Sequence, residues 1–247
     1  MSIAAELPIL ITSAIGVAAD RTKIVDIAER TKWTLHAAHM WRQLNPKARI
    51  VLCDGSGVDL RAQLESDPTL AKDVEFIGFC NNVSEVKLYG KGRGEGEIIS
   101  YALEHSVYLA EVETFCKCTA KLWVDNHRAF VSARRGAFAF DYYGKLLPIR
   151  LDTRYYVASR REFCAILREA YLEVDEVNGV DLETAYVNAL GSTPIKEYVS
   201  PVVPLIRGLS GSMGVQYHPS RRHAILKGLR NKVARAFVGG ASTGKGR

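Results

Sequence analysis

Lys87-Leu-Tyr-Gly-Lys-Gly-Arg-Gly-Glu-Gly-Glu97 is the segment whose residue types point most directly to chemistry. Gly90, Gly92, Gly94 and Gly96 permit close backbone approach and positive φ. Lys91 and Arg93 add positive charge directly before a helical pattern, where free N–H groups already favour an anion. That combination suits a pyrophosphate. The spacing is not the G-x-G-x-x-G of dinucleotide binders, because Glu95 stands where the third glycine belongs. The competing reading is a flexible surface loop capped by Glu95 or Glu97.

A second cluster follows. Lys117, Thr119 and Lys121 occupy alternate positions of an expected strand, which turns all three to one side. Asp125 and Asn126 come next. Two lysines converging with a carboxylate and an amide can hold a diphosphate and a metal; an edge strand guarded by lysines is the alternative. Asp54 ends the second expected strand in CDGSG, and Thr12 and Ser13 end the first. Ligands of open α/β sheets bind beyond such strand ends. There Asp54 either accepts hydrogen bonds from a base or ribose or closes a turn.

Two later carboxylates stand out. Asp152 opens LDTRYY, with Arg154 projecting to the same face, and Glu183 begins the helical pattern of VDLETAY. By local sequence alone Glu183 is more readily a partner of the helix dipole than a base. The glycine/serine segment GLSGSMG at 208–214 offers Ser210, Gly211 and Ser212 as a substrate-contacting turn, or serves as a plain connector. GGASTGKG at 239–246 has P-loop spacing without the following Ser/Thr or a strand–helix context. Cys116 and Cys118 have no second Cys/His pair nearby, which argues against zinc. No H-E-x-x-H or C-x-x-C pattern is present.

The elements that must position these groups alternate between strand and helix. Strands are expected at Pro8–Ser13, Arg49–Asp54, Val74–Phe79 and Arg150–Ala158. Strands or hairpins are expected at Phe115–Asp125 and Phe130–Asp141, with Gly55–Asp67 as loop or short helix. Helices are expected over Thr22–Leu44, with Ile24, Ile27, Ala28, Leu35, Ala38 and Trp41 as its apolar stripe, over Glu95–Ala110, and over Leu182–Leu190. Another helix should follow the Arg150–Ala158 strand, with Phe163, Ile166, Leu167, Ala170 and Tyr171 inward. This order predicts an open mixed α/β sheet flanked by helices.

The chain has 247 residues, 47% of them hydrophobic and 24% charged, which suits a globular protein and excludes wholesale disorder. No apolar run approaches the ~20 residues of a membrane-spanning helix. Five cysteines without framework spacing predict reduced, cytosolic thiols. The net charge of +6 hides an asymmetry. Residues 198–247 carry nine Lys/Arg and no acid, leaving 24 basic and 27 acidic residues upstream. Within that tail, Ile225, Leu226, Leu229, Val233, Ala236 and Phe237 recur at helical steps. Residues 220–238 therefore predict a basic amphipathic helix lying on an anionic membrane, against the alternative of a helix docked on the body. The final GGASTGKGR is expected to be disordered.

In succession, GKGRGEGE, FCKCTAKLWVDN, LDTRYYVASRREF, VDLETAYVNAL and PLIRGLSGSMGVQY resemble a bacterial GT-A-like glycosyltransferase family associated with capsule or lipopolysaccharide assembly. Its members carry GKG-x-GE, K-x-T-G-R-like, D-T-R-F/Y-like, L-E and G-x-S-G-x-x-G motifs in this order. The resemblance spans roughly residues 8–217. Ala120-Lys121 replaces the usual Gly-Arg, and Arg93 replaces a common aromatic.

The resemblance implies a nucleotide-diphospho-sugar transferase fold over residues 1–217, with 218–247 as a basic tail. It implies transfer of a sugar from a nucleotide-sugar donor to a bacterial surface glycan or glycolipid. It makes Glu183 the first candidate for the base that deprotonates the acceptor hydroxyl, with Asp152 second. The expected donor site comprises Thr12, Asp54, Lys91, Gly92, Glu95, Lys117, Thr119, Lys121, Asp125 and Asn126; Ser210, Gly211 and Ser212 would meet the acceptor. Manganese or magnesium is a candidate cofactor, although no full D-x-D motif is present. The expected location is cytoplasmic, peripheral on the inner membrane. A sugar nucleotidyltransferase is the alternative enzyme, but TSAIGVAADRTK after the first strand is a weaker glycine-rich loop than residues 90–97. A nucleic-acid-binding tail is the non-enzymatic alternative, and a single aromatic, Phe237, argues against it.

Overall fold

The computed structural model describes residues 7–17, 23–143, 150–211, 213–219 and 221–237. The first half runs β1 (Ile9–Ser13), α1 (Ile27–Leu44), β2 (Ile50–Asp54), α2 (Arg61–Glu65), β3 (Val74–Gly78), α3 (Val83–Tyr89), α4 (Lys91–His105), α5 (Val107–Ala110) and β4 (Thr114–Thr119). Then come β5 (Leu122–Val124), α6 (His127–Ser132), β6 (Phe138–Tyr143), β7 (Arg150–Ser159) and α7 (Arg160–Glu162). A π turn (Phe163–Leu167) and a 3₁₀ turn (Ala170–Glu173) lead to α8 (Leu182–Leu190), α9 (Ile195–Tyr198), β8 (Ile206–Leu209), β9 (Gln216–Tyr217) and α10 (Arg221–Phe237).

Six strands form one mixed sheet in the order β3-β2-β1-β4-β7-β6. The first four are parallel; β7 runs antiparallel to β4, and β6 antiparallel to β7. Strands β5, β8 and β9 make a small second sheet. The period-2 alternation divides the core into two faces. Leu10, Val51 and Phe115 pack beneath α4 and α8 on one side. Ile9, Ile11, Leu52, Cys116 and Cys118 pack against α1 and α6 on the other. The thiols of Cys116 and Cys118 are free and fully buried, as a structural role requires.

Several expected boundaries are displaced. The glycine-rich segment is not a loop: only Gly90 lies outside α4, with φ 107°. Gly92, Gly94 and Gly96 are buried in the first turns of the helix. They serve close packing rather than flexibility. A Cβ on Gly94 would come within 2.7 Å of Asn81 Nδ2 and 2.8 Å of Val86, and one on Gly96 would collide with Tyr171 Cβ. The helix expected to reach Ala110 ends at His105, where Ser106 caps the separate α5. Lys121 is not on β4; it sits at φ 72° in the tight turn to β5. Phe130 belongs to α6, not to a strand. The buried stripe of α1 is Arg30, Thr34, Ala37, Ala38 and Trp41, while Ile27 is 53% exposed. In the helix after β7, Phe163 and Leu167 are buried and Ile166 is exposed. Ser212 and the final GGASTGKGR lie outside the described residues.

The basic tail helix adopts an arrangement between the two expected ones. Lys227 and Asn231, one turn apart, both reach the buried Asp141. Asn231 Nδ2 also donates to Ser200 O at 3.2 Å, and Arg235 donates to Val199 O. The helix thus docks through polar side chains and turns Ile225, Leu226, Leu229 and Val233 outward, 45% to 70% exposed.

The contact of α4 with the 3₁₀ turn makes a direct prediction. Gly96→Ala forces a methyl into Tyr171 at its own Cβ, where no rotamer relieves the clash. The expected loss is about 1–3 kcal/mol of stability, read from denaturant unfolding.

Candidate functional site

The carboxyl-terminal ends of β1, β2 and β4 lie side by side, with Thr12 opposite both Cys53 and Thr119. Lys117 is on the α4 face of β4 and fully buried. Its ammonium forms an ion pair with Glu95 of α4, and donates to Thr119 Oγ1 at 2.9 Å and to Thr153 O at 2.7 Å. All three donors are thereby used within the protein. Glu95 Oε1 also accepts from Thr119 Oγ1 at 2.9 Å and from Thr12 Oγ1 at 3.4 Å. Burial pushes the Glu95 carboxyl up, but the Lys117 charge and hydrogen bond, with Thr119, outweigh it and hold the carboxyl below its ordinary value.

Thr153 links this cluster to the first candidate base. Its carbonyl receives Lys117, and its hydroxyl donates to Glu183 Oε1 at 2.8 Å. Glu183 is half-buried in the first turn of α8. The helix cap is Asp181, whose side chain accepts from Thr184 N, so Glu183 is free of that duty. Burial lifts the Glu183 carboxyl above its ordinary value against the Thr153 hydrogen bond, and the charges of Glu95 and Asp152 add to the rise. A partly exposed carboxyl with raised proton affinity suits proton transfer. Asp152 differs. It is buried, and both its oxygens are engaged by Arg154, which holds it below its ordinary value despite burial.

The remaining expected residues divide between contacts and scaffolding. Gly92 N donates to Glu176 Oε1 at 2.8 Å, so this helix-start donor serves a carboxylate of the chain itself. Lys91 is exposed, and its charge contributes to the lowering at Glu95. Asp54 is fully buried and shapes the strand-end loops, accepting from Ile15 N at 2.9 Å and Ser56 N at 2.8 Å. Asn126 clamps two backbone groups, Val203 O at 2.9 Å and Leu205 N at 2.7 Å. Asp125 pairs with Arg207 at 2.7 Å, away from the lysine cluster. Ser210 closes the β8–β9 turn, its hydroxyl accepting from Met213 N at 3.1 Å. Gly211 abuts Lys121 and Arg30. Among the described residues, no group of three or more His, Cys, Asp or Glu could hold a metal ion.

Two features were not anticipated. Arg30 is a buried arginine on α1, bonded to Ile24 O at 3.0 Å and to Ala14 O. Its signal was available, since a charge at i with Thr34, Ala37, Ala38 and Trp41 lies on the core stripe. The other is a cavity of about 360 Å³ lined by Trp33, His36, Trp123 and Tyr217, with Asp125 and Arg207 among its walls. Its residues come from α1, β5, β8 and β9, which are distant in sequence, so no local pattern reveals it.

No family model matches the chain. No curated protein matches it either. Among solved structures, an active-site mutant of LgtC is similar at 10% identity and a TM-score of 0.50, covering 74% of this chain and 70% of that one. The galactosyltransferase LgtC in complex with donor and acceptor sugar analogues gives 9% identity, a TM-score of 0.49 and the same coverage. A putative glucose-1-phosphate thymidylyltransferase from Bacillus anthracis gives 11% identity and a TM-score of 0.49, covering 98% of this chain and 97% of that one. The chain has a GT-A-like fold, an open mixed sheet flanked by helices.

The cluster predicts a specific cost. Lys117→Met leaves Glu95 without its buried cation, and stability should fall by about 3–5 kcal/mol. The Lys117–Glu95 contribution is present above the ordinary carboxylate pKa and is lost as pH falls through the depressed value. The difference between parent and variant in denaturant unfolding should therefore shrink in acid.

Proposed function

We propose that the protein transfers a sugar from a nucleotide-sugar donor to a glycan acceptor, with Glu183 as the base that deprotonates the acceptor hydroxyl. The observation that carries this is the placement of a half-buried Glu183 against Thr153, one residue away from the Lys117–Glu95–Thr119 cluster. A carboxyl whose proton affinity is raised while its neighbour Glu95 is held ionised has the division of labour that acid–base chemistry needs. In this reading Lys117 is a positioning residue: it fixes Glu95 and the Thr153 backbone and meets no ligand itself. Sequence order supports the same reading, because the L-E, D-T-R and GKG-x-GE segments converge here. The aromatic cavity supports a sugar acceptor. Trp33 and Trp123 offer apolar faces to a ring, and Asp125 and Arg207 offer partners to its hydroxyls.

The acceptor in this proposal is lipid-linked and belongs to a bacterial surface polysaccharide. Support comes from α10, where Ile225, Leu226, Leu229 and Val233 face outward with exposed Arg222 and Lys232 on the same helix. Such a helix suits an anionic membrane surface. No helix among the described residues is long and apolar enough to cross a membrane. Because Lys227 and Asn231 compensate the buried Asp141, deleting the helix would damage the body, and its role is better tested by surface substitution.

Screening UDP-, GDP-, CMP- and dTDP-sugars for thermal stabilisation, with and without manganese, identifies the donor. Glu183→Gln should then keep donor affinity and lose transfer. It should also be at least as stable as the parent at neutral pH. A carboxyl with raised pKa costs stability as pH climbs above its unfolded value, and the amide removes that cost. Near-parental turnover of the variant would overturn the assignment. For the membrane surface, Ile225→Ser combined with Leu229→Ser should unfold within about 0.5 kcal/mol of the parent per site. The same variant should no longer sediment with anionic liposomes.

A further inference from the structure

Lys121 has no role in the cluster described above, although it is 4% exposed. The β4–β5 turn holds it at φ 72°, with Ala120 N bonded to Thr12 O at 2.8 Å and Leu209 N to Lys121 O at 3.0 Å. The backbone is thus fixed on both sides, and the side chain runs past the β8–β9 turn. A Cβ placed on Gly211 would lie 2.8 Å from Lys121 Cε, 3.4 Å from Lys121 Nζ and 3.1 Å from Arg30 Nη1. Two buried cations therefore flank one glycine.

Neither cation is balanced as a buried charge should be. Lys121 Nζ forms no hydrogen bond within the described residues. Arg30 uses two nitrogens on backbone carbonyls, and its Nε is buried without a partner. The groups facing Lys121 are Arg30 from α1, Asp54 from β2 and Glu95 from α4. Both carboxylates are committed elsewhere, Asp54 to Ile15 and Ser56 and Glu95 to Lys117 and Thr119. Ser13, at the end of β1, also buries a hydroxyl with no partner.

We propose that Lys121 and Arg30 form an inner anion subsite beside Gly211, which receives a phosphoryl oxyanion and takes up a proton as it does so. The identity of that anion as the donor diphosphate rests on the transferase reading above; the subsite itself does not. Without an anion, burial and then the Arg30 charge pull the Lys121 ammonium down to about 7, against Asp54 and Glu95. An entering oxyanion supplies the missing acceptor and an opposite charge, so the lysine binds as the protonated form. The site is then neutralised stepwise, and the charge that would otherwise stay buried in the free protein is introduced together with its partner. In transfer, the same ammonium would face the charge that develops on the leaving diphosphate.

Inorganic sulfate is the probe for the subsite, because this tetrahedral dianion does not titrate near neutrality. Nucleoside diphosphate sugars are the second probe, since esterification at both ends keeps their diphosphate charge constant there as well. Calorimetry in buffers of different ionisation enthalpy should show net proton uptake with either probe around pH 7 to 8 in the full chain. Affinity should fall by up to about tenfold per pH unit above the Lys121 pKa. Lys121→Met should abolish both the uptake and the pH slope. It removes an ammonium that burial of the side chain disfavours, so its unfolding midpoint should be no lower than the parent's at neutral pH. Gly211→Ala, which narrows the subsite without removing a charge, should weaken sulfate binding and keep the fold. The proposal is overturned if sulfate does not bind, if the parent takes up no proton, or if Lys121→Met binds as the parent does. Sulfate binding with proton uptake but no response to any nucleotide sugar would leave the subsite standing and refute the donor reading. Nucleotide-sugar binding that is indifferent to pH and to Lys121→Met would do the reverse.

Discussion

A single buried ammonium ties the two halves of this fold together. Lys117 lies on β4, the last of the parallel strands, and its three donors go to α4, to its own strand and to β7, the first antiparallel strand. A lysine with no solvent exposure is tolerable only if every donor is satisfied and an anion is near. Glu95 meets the second requirement, and its own position depends on how closely α4 approaches the sheet. The glycines at 92, 94 and 96 permit that approach. Close-packed glycines and a structural ion pair are thus parts of one device.

The same constraint explains why the candidate base is where it is. Thr153 receives Lys117 on its carbonyl and presents its hydroxyl to Glu183. The geometry of a residue on α8 is therefore set by a lysine on β4, through one threonine. Asp152 and Arg154, on either side of Thr153, close on each other, and Arg154 lies over the Tyr217 ring. That pairing keeps Asp152 ionised and occupied, so of the two carboxylates in this stretch only Glu183 retains an oxygen outside a bidentate ion pair. On the far side, Asp141 is buried with its oxygens turned to Lys227 and Asn231. Burial and the proximity of Asp152 raise its proton affinity, while Lys227 opposes. The docking of the terminal helix is thus an electrostatic consequence of how β6 and β7 pair, and the outward turn of Ile225, Leu226, Leu229 and Val233 follows from it.

Much of the architecture was legible in the sequence because local periodicity reports local geometry. The strands at 9–13, 50–54 and 74–78, the helix at 182–190 and the succession of α and β elements all follow from spacing and turn residues. Glu183 was legible only as a helix-start carboxylate, and the family resemblance was what set it apart. Residue type also announced that Lys117, Lys121 and Glu95 were unusual. Partnership is another matter, because it joins residues remote in sequence. Whether Lys117 would meet a ligand or Glu95 depended on where α4 comes to rest. Whether glycines would loop or pack depended on Tyr171, Asn81 and Val86. Whether the tail would offer its charges or its apolar stripe depended on Asp141. Sequence by itself determined which segments form strands and helices and which side chains carry charge. Tertiary structure alone decided which of those charges are paired inside the protein, as Lys117 is with Glu95, and which, like Lys121, are held in a largely buried side chain without such a partner among the described residues, because desolvation and pairing are properties of contacts made across the fold.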